Sequence, residues 1–373
     1  MDAAVRYLGF FAECSGYGEA ARRHLVALAG AGAGVVARSL LYRGYRPYEA
    51  PVDGARFPEV AALARAGAAR EATRVVHAPA PCFPSLLGFD GAARARVGVV
   101  AWELPRLPAD WGAPLAAVDE LWVPSAFCAE AVRAATERPV VVVPHPVAPP
   151  PATPGPRSLA GVPDDVFLFA AILEWCDRKN PLGLLRAFRD AFAGRRDVGL
   201  LLKVGTRHRV PPWAIERAVR EPERPGAPPV YLMMADELPP AAIDAIHRRA
   251  DGWVSLHRAE GFGLAVAEAM ARGTPVVATG WSGNLEYMDA ESALLVEARL
   301  VPVEQRLARV DGLEPTMRWA EPDHDAAVAA LRRLVDEPAL RSRLARAAVE
   351  QVRQRLDPAR IGARMRARLD EQA

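Results

Sequence analysis

Residues 258–279 read RAEGFGLAVAEAMARGTPVVAT, and they directly follow an apolar run, 252–257, that has the composition of a buried strand. A glycine-containing turn leads into a helical pattern at 263–272, which ends at Gly273. A second strand pattern, 274–279, comes next. The stretch therefore predicts a strand–turn–helix–strand unit, from which parallel sheets covered by helices are built.

The same alternation of strands and helices runs along both halves of the chain, on either side of a proline-rich segment. Residues 147–156 contain five prolines, a density that excludes a helix or a central strand and predicts a semi-rigid linker. We therefore expect an α/β protein with two Rossmann-like domains, residues 1–150 and 157–355. Further strands are predicted at 5–11, 35–40, 75–78, 97–102, 120–124, 140–144, 166–173, 199–204 and 230–234, and further helices at 18–29, 128–135, from 181, at 240–249, 326–334 and 341–372.

Composition limits the classes of function. A hydrophobic fraction of 51% is ample for two cores, and a net charge of +2 argues against broad nucleic-acid binding. The four cysteines are far apart, so neither a zinc site nor a disulfide framework is predicted. The N-terminus lacks the basic and apolar regions of a secretory signal, so a soluble, cytoplasmic protein is the default expectation.

The turn before the predicted helix at 263–272 has the features of an anion site. Free backbone N–H groups at a helix N-terminus attract an anion such as a diphosphate. Glu260 lies at the mouth of this turn, and Glu268 lies about two turns along the helix, where a carboxylate could accept ribose hydroxyls. Alternatively, Glu260 only complements the helix dipole and Glu268 is a surface residue. The backbone N–H groups expected at this helix N-terminus are those of Gly261, Phe262, Gly263 and Leu264.

Glu260 and Glu268 form a Glu-x7-Glu pattern that resembles the signature of the retaining glycosyltransferases of family 4. Residues 255–264, 279–284 and 319–322 are similar to one bacterial branch of that family, which carries His-Arg-x-Glu-Gly-Phe-Gly. The resemblance implies a GT-B fold, with two Rossmann-like domains facing across a cleft and a last helix, about 356–373, packing back on the first domain. It also implies transfer of a sugar with retention from a nucleotide-diphosphate sugar of UDP or GDP type, without a metal or other cofactor.

A second group of polar residues follows the predicted strand at 166–173. Lys179 precedes Asn180, a good helix N-cap, and Pro181 at the first helical position. The Lys179 charge and the free helix N–H groups should therefore lie in one crevice at the carboxyl ends of the strands. In the resembling family a lysine here contacts the donor diphosphate, together with an arginine five residues earlier. This chain has Glu174 there, so Arg178 is the candidate substitute.

Five further residues of the second domain are candidates for donor binding. Lys203, one of only two lysines, lies in an apolar strand pattern and either faces the crevice or is an edge residue. Asn284 is either a turn residue or, as the resemblance implies, close to the sugar. Family geometry implies that the base of the donor nucleotide meets the backbone near two consecutive methionines, Met233 and Met234. His257 is a candidate for the cleft because it precedes Glu260.

The first domain is expected to supply the acceptor site. Gly16 and Gly18 open a helix in a loop that, in the family, approaches the donor, although a plain turn is the alternative. Glu103 follows a strand end and either hydrogen-bonds a sugar hydroxyl or caps a loop. Two histidines at strand ends, His77 and His145, are interpreted as structural.

The segment 323–325 spells Asp-x-Asp, a metal motif of a different glycosyltransferase fold. Because it precedes a helical pattern, we interpret Asp323 as a helix cap and predict no metal site. The sequence thus predicts a glycosyltransferase that acts on a glycan or small-molecule acceptor and has no nucleic-acid partner. No basic amphipathic helix marks membrane association, which stays an unsupported alternative. The alternatives are a nucleotide-sugar epimerase, an NAD(P)-linked enzyme on a similar fold, or an inactive sugar-nucleotide binding protein.

Overall fold

The computed structural model describes residues 3–43, 46–64, 68–88, 93–150, 155–205, 210–220, 226–304, 313–314 and 316–372. Four residues of the proline-rich segment, 151–154, lie outside the described residues. The chain forms two compact units, of which the first comprises Met1–Ala148 and Leu356–Ala373 and the second comprises Pro149–Arg355. No helix among the described residues is both long and apolar enough to cross a bilayer.

Strands and helices alternate through most of the chain. The strands are β1 (Ala3–Gly9), β2 (Val35–Arg43), β3 (Arg46–Glu49), β4 (Ala68–His77), β5 (Arg96–Val99), β6 (Glu120–Val123), β7 (Val140–Val142), β8 (Phe167–Glu174), β9 (Val198–Gly205), β10 (Val230–Met234), β11 (Gly252–Ser255), β12 (Val276–Thr279), β13 (Leu294–Val296), β14 (Ala298–Pro302) and β15 (Arg318–Pro322). The α-helices are α1 (Gly16–Gly30), α2 (Pro58–Ala64), α3 (Phe83–Gly88), α4 (Gly112–Ala116), α5 (Ala126–Arg133), α6 (Pro181–Ala191), α7 (Pro212–Arg220), α8 (Pro240–Arg249), α9 (Leu264–Ala271), α10 (His324–Asp336), α11 (Pro338–Arg355) and α12 (Pro358–Asp370).

The first unit contains a seven-stranded sheet in the order β3-β2-β1-β4-β5-β6-β7, which is parallel except where β3 pairs with β2. Helix α12 packs against α1 so closely that a Cβ at Gly362 would overlap the carbonyl oxygen of Ala27. Arg368 of α12 also forms an ion pair of 2.7 Å with the buried Glu120 of β6. The last helix of the chain is therefore a component of the first unit.

The second unit contains a six-stranded parallel sheet in the order β10-β9-β8-β11-β12-β13. The chain moves outward from β8 through β9 and β10, then returns to the other side of β8 to form β11. The strand order thus reverses between β8 and β11, and open α/β sheets bind ligands at the carboxyl ends of the strands at such a reversal. The segments that follow β8 and β11 contain Lys179 and Glu260.

Several sequence predictions are confirmed at the level of single elements. Strand β10 and helix α8 have the predicted bounds, and Asp323 caps α10 by accepting a hydrogen bond of 2.8 Å from the N–H of Ala326. The Arg-rich segment predicted as helical at 341–372 is divided between α11, which ends at Arg355, and α12, which begins at Pro358 and is capped by Asp357. Strand β3, helix α2 and the hairpin of β14 and β15 were not predicted.

Candidate active site

The segment between β8 and α6 carries Lys179 on a constrained backbone. Asn180 has a left-handed conformation, with φ of 53°, and its side-chain oxygen accepts a hydrogen bond from the N–H of Gly183. Its side-chain nitrogen donates to the carbonyl of Leu256, at the end of the β11 segment, over 2.9 Å. The predicted cap therefore does more than begin a helix, because it also ties the Lys179 segment to the neighbouring strand.

Lys179 and Glu260 form a close ion pair. The Arg178 carbonyl accepts hydrogen bonds from the N–H groups of Arg258, at 2.8 Å, and Ala259, which aligns the two segments. The Lys179 Nζ then lies 2.5 Å from the Glu260 Oε2, and each side chain is 16% exposed. Burial opposes ionisation of Glu260, but the charge and hydrogen bond of Lys179, together with the charges of His257 and Arg178, outweigh it and hold the pKa of this carboxyl well below its usual range.

Arg178 does not take part in that ion pair. Its guanidinium donates to Glu174 over 2.9 Å. Arg178 remains close enough to lower the pKa of Glu260 by its charge. The structure thus brings Lys179 and Glu260 into direct contact and places Arg178 beside them, where it pairs with the Glu174 carboxylate.

The start of α9 is held by a loop that follows β12. Gly263 has φ of 90°, which favours glycine, and its carbonyl accepts a hydrogen bond of 2.8 Å from the Tyr287 hydroxyl. The Phe262 and Tyr287 rings lie 5.0 Å apart, and Tyr287 is fully buried. The backbone from Gly261 to Leu264, which the sequence analysis placed at the helix N-terminus, is therefore fixed by residues about 20 positions further along the chain.

Gly283 makes the closest approach to the Glu260 turn. Its N–H donates to the Glu260 carbonyl over 2.9 Å, and a Cβ at this position would lie 1.9 Å from the carbonyl oxygen of Gly261. The preceding residue, Ser282, has φ of 83° although it is not glycine. A strained residue beside a candidate site indicates that the surrounding structure enforces this loop conformation.

We expect Gly283→Ala to unfold or displace the Glu260 turn, because a Cβ cannot fit 1.9 Å from a carbonyl oxygen. The free energy of unfolding of the second unit should fall by about 3 kcal/mol or more. Chemical denaturation of the variant measures this effect. Gly16→Ala is the matched control, since a Cβ at Gly16 meets nothing within 4 Å and glycine-to-alanine changes at open helical sites do not destabilise. Equal stability of Gly283→Ala and the native protein would contradict the prediction.

His257 and Asn284 are both buried beside the loop that follows β12. The Nε2 of His257 donates to the Trp281 carbonyl over 3.1 Å, so its Nδ1 accepts from the Ser255 hydroxyl, and burial lowers the pKa of this histidine. The Asn284 amide is fully buried and donates to the Thr279 carbonyl. Both side chains therefore bond to backbone carbonyls at the end of β12 or in the loop that follows it.

Glu268, Lys203 and the two methionines lie elsewhere on the same unit. Glu268 is 18% exposed and its Oε2 lies 3.1 Å from the Nε2 of His247 in α8. Lys203 is buried in β9, between β8 and β10, so the edge alternative is wrong. Met233 and Met234 end the edge strand β10 and are half-buried.

The candidates in the first unit form a separate group. A Cβ at Gly18 would overlap the carbonyl oxygen of Glu13, so the loop itself requires this glycine, whereas Gly16 is open. Tyr17, between them, donates to the Ala101 carbonyl over 2.8 Å, and this contact brings the loop beside the segment that leads to the half-buried Glu103.

Three histidines form a buried cluster in the first unit. His145 and His24 lie 3.1 Å apart through their ring nitrogens, and the His77 Nδ1 lies 2.9 Å from the Tyr7 hydroxyl. The three rings have centroids 5.1 to 6.0 Å apart. Burial lowers the pKa of all three, that of His24 to about 3. This burial agrees with the structural interpretation of His77 and His145.

Residues 164–309, less than half of the chain, match the family model described as glycosyl transferases group 1. The second unit carries a glycosyltransferase domain. The full chain matches no curated protein sequence.

Solved structures similar to this chain share its fold at low sequence identity. A sucrose-phosphate synthase from Thermosynechococcus elongatus is 16% identical, with a TM-score of 0.65 over 99% of this chain and 98% of that one. Anabaena HepE in complex with UDP and glucose is 13% identical, with a TM-score of 0.60 over 99% of both chains. A Staphylococcus aureus TarM mutant in complex with fondaparinux, α-GlcNAc-glycerol and UDP is 13% identical, with a TM-score of 0.60 over 81% of this chain.

This chain spans only 55% of the TarM chain. The α/β fold class predicted from the sequence, GT-B with two Rossmann-like domains, is confirmed.

Proposed function

We propose that this glycosyltransferase is a retaining enzyme of family 4 that transfers a sugar from a nucleotide-diphosphate sugar to an acceptor hydroxyl of a glycan or small molecule. The observation that carries the proposal is the Lys179–Glu260 ion pair of 2.5 Å, which lies where the strand order of the second sheet reverses. A cation and a helix N-terminus in that place suit a diphosphate, and a carboxylate suits sugar hydroxyls.

Lys179 is assigned to the leaving diphosphate. Breaking the bond from sugar to phosphate leaves negative charge on the nucleotide diphosphate, and a fixed ammonium stabilises that charge most in the transition state. The ion pair with Glu260 holds the ammonium in place before the donor binds. Arg178 and the N–H groups after Glu260 add positive potential, although Arg178 shares its charge with Glu174.

Glu260 is assigned to the hydroxyls of the transferred sugar. Its low pKa keeps it ionised, so it can accept hydrogen bonds from hydroxyls but cannot act as a proton donor near neutral pH. In this proposal the acceptor attacks from the face that the diphosphate leaves, and a donor phosphate oxygen takes the acceptor proton. No metal takes part, and the first domain supplies the acceptor site, with Glu103 as a candidate contact.

The nucleoside is assigned to α9 and the end of β10. Glu268 accepts the ribose hydroxyls, and the base meets the backbone near Met233 and Met234. UDP sugars are the first donors to test, because HepE and TarM were solved in complex with UDP. GDP sugars remain the second class.

The function is tested with a panel of UDP-, GDP- and TDP-sugars. A donor that binds the native state raises the melting temperature in proportion to its affinity, and turnover is then measured with the binding donors. We expect transfer with retained anomeric configuration, read from the product by NMR, and unchanged rates in excess EDTA. Inversion would refute the retaining assignment, loss of activity in EDTA would refute metal independence, and binding without turnover against any acceptor would favour an inactive binding protein.

Glu268→Ala is expected to raise the donor KM about tenfold and to change kcat little. A carboxylate that holds the ribose binds the ground state and the transition state equally, so its loss weakens binding without slowing the chemical step. Steady-state kinetics with varied donor measures this split. An unchanged donor KM would contradict the ribose assignment.

A further inference from the structure

The Glu268 carboxylate is held by a histidine that the sequence analysis did not single out. His247 lies in the last turn of α8, and its Nε2 is 3.1 Å from the Glu268 Oε2. A carboxylate only accepts, so the histidine nitrogen donates. The His247 side chain is 1% exposed and that of Glu268 is 18% exposed, so the contact links a buried group to one that solvent or a ligand can reach.

The imidazole itself has little freedom to rotate. Its ring stacks on the buried Trp253 of β11, with centroids 4.5 Å apart and planes 7° apart. Strand β11 leads directly into the turn that contains Glu260. The orientation of the His247 N–H is thus set by the same strand that presents Glu260.

The backbone of Glu268 is tied to the same helix by a second route. Arg272, one turn further along α9, donates to the Glu268 carbonyl over 3.2 Å and forms an ion pair of 2.8 Å with Asp244 of α8. Two residues of α8, His247 and Asp244, therefore restrain the side chain and, through Arg272, the backbone of Glu268. Such restraint selects one orientation of a side chain that otherwise loses substantial conformational entropy when it binds a ligand.

We propose that His247 is a positioning residue that orients the Glu268 carboxylate for the ribose of the donor, a role that rests on the proposed function. Because His247 pre-orders Glu268, less conformational entropy is lost when the donor binds. The gain is the same in the ground state and in the transition state, so it lowers the donor KM and leaves kcat unchanged. His247 itself contacts neither the sugar nor the diphosphate.

The test compares His247→Gln with His247→Asn in the full-length enzyme. The glutamine amide nitrogen lies near the position of the histidine Nε2 and can still donate to Glu268, whereas the shorter asparagine amide cannot reach it. We expect His247→Asn to raise the donor KM about tenfold with kcat within twofold, and His247→Gln to restore the donor KM to within about twofold of native. Equal donor KM values for the native enzyme and both variants, or equal losses in both variants, would overturn the proposal.

A double-mutant cycle separates positioning from general support of the fold. In a Glu268→Ala background, His247→Asn should have no further effect on the donor KM, because the carboxylate it orients is gone. Independent, multiplied effects would overturn the proposal. His324→Asn is the matched control, since the half-buried His324 of α10 pairs with Asp190 over 3.0 Å, and the donor KM of this variant should be native.

The outcomes distinguish this proposal from the proposed function. If the native enzyme binds none of the nucleotide sugars, the proposed function fails first. If the native enzyme transfers sugar and Glu268→Ala raises the donor KM while His247→Asn does not, only the role of His247 is wrong. Melting temperatures of all variants establish that the compared proteins are folded.

Discussion

Replacing Lys179 by alanine is expected to lower kcat by a factor of roughly 10²–10³, the usual cost of removing one group that stabilises charge in the transition state. The Lys179 Nζ lies 2.5 Å from Glu260 at the carboxyl edge of the second sheet, where the departing diphosphate would gain charge. Steady-state kinetics with saturating donor measures the loss. A kcat within threefold of native would exclude Lys179 from stabilisation of the leaving group.

Two further variants separate charge from geometry at this position. Lys179→Arg keeps the charge but replaces a compact ammonium by a planar guanidinium, so a partial recovery of kcat shows how far charge alone suffices.

Lys179→Ala leaves Glu260 partly buried without its cation, which destabilises the fold. Combining Lys179→Ala with Glu260→Gln should recover the stability without recovering kcat. Recovery of kcat in that double variant would show that the loss came from misfolding.

Acid is expected to unfold the first unit unusually steeply between pH 6.5 and 5. The three clustered histidines have folded-state pKa values below the ordinary histidine value, because burial disfavours their charged form. Below about pH 6.5 the unfolded chain therefore binds protons that the folded unit does not bind. The free energy of unfolding of the first unit falls as the pH falls. Each histidine contributes about 1.4 kcal/mol per pH unit, so the cluster contributes about 4 kcal/mol per pH unit.

The measurement is the free energy of unfolding by denaturant at several pH values within this window, above the range in which most carboxylates titrate. Replacing one member, as in His145→Gln, should remove about a third of the slope. His324→Gln serves as the control, because His324 is half-buried on α10 and outside the cluster. If the free energy of unfolding of the native protein changes with pH by the amount expected for one proton or less, the prediction is contradicted.

The sequence predicted the parts of the site that depend on strand ends. Lys179 and Glu260 are 81 positions apart, yet each follows an apolar strand pattern, and parallel strands bring their carboxyl ends to one edge of the sheet. Asn180 before Pro181 is a local signal for a helix start, and the structure has that cap. Local patterns and the rule for parallel sheets together were enough for the fold class and for the place of these residues.

The remaining contacts depend on packing between distant elements, which no local pattern specifies. His247 looks like an ordinary residue of an amphipathic helix, and its contact with Glu268 follows only once α8 and α9 are neighbours. Tyr287 and Gly283 act on the Glu260 turn from a loop whose irregular backbone, with Ser282 at φ of 83°, matches no regular sequence signal. The apolar periodicity and the arginines continue across the break before Pro358, so the local pattern alone did not locate the boundary between α11 and α12.

The place of α12 makes the polypeptide path discontinuous in the first unit. Because Leu356–Ala373 belong with Met1–Ala148, the second unit is in effect an insertion within a single folding unit. A single cleavage in the proline-rich segment would therefore leave two fragments that share one sheet-and-helix core, held together by the contacts of Gly362 with Ala27 and of Arg368 with Glu120. Fragment complementation, rather than separation into independent halves, is the behaviour that this connectivity entails.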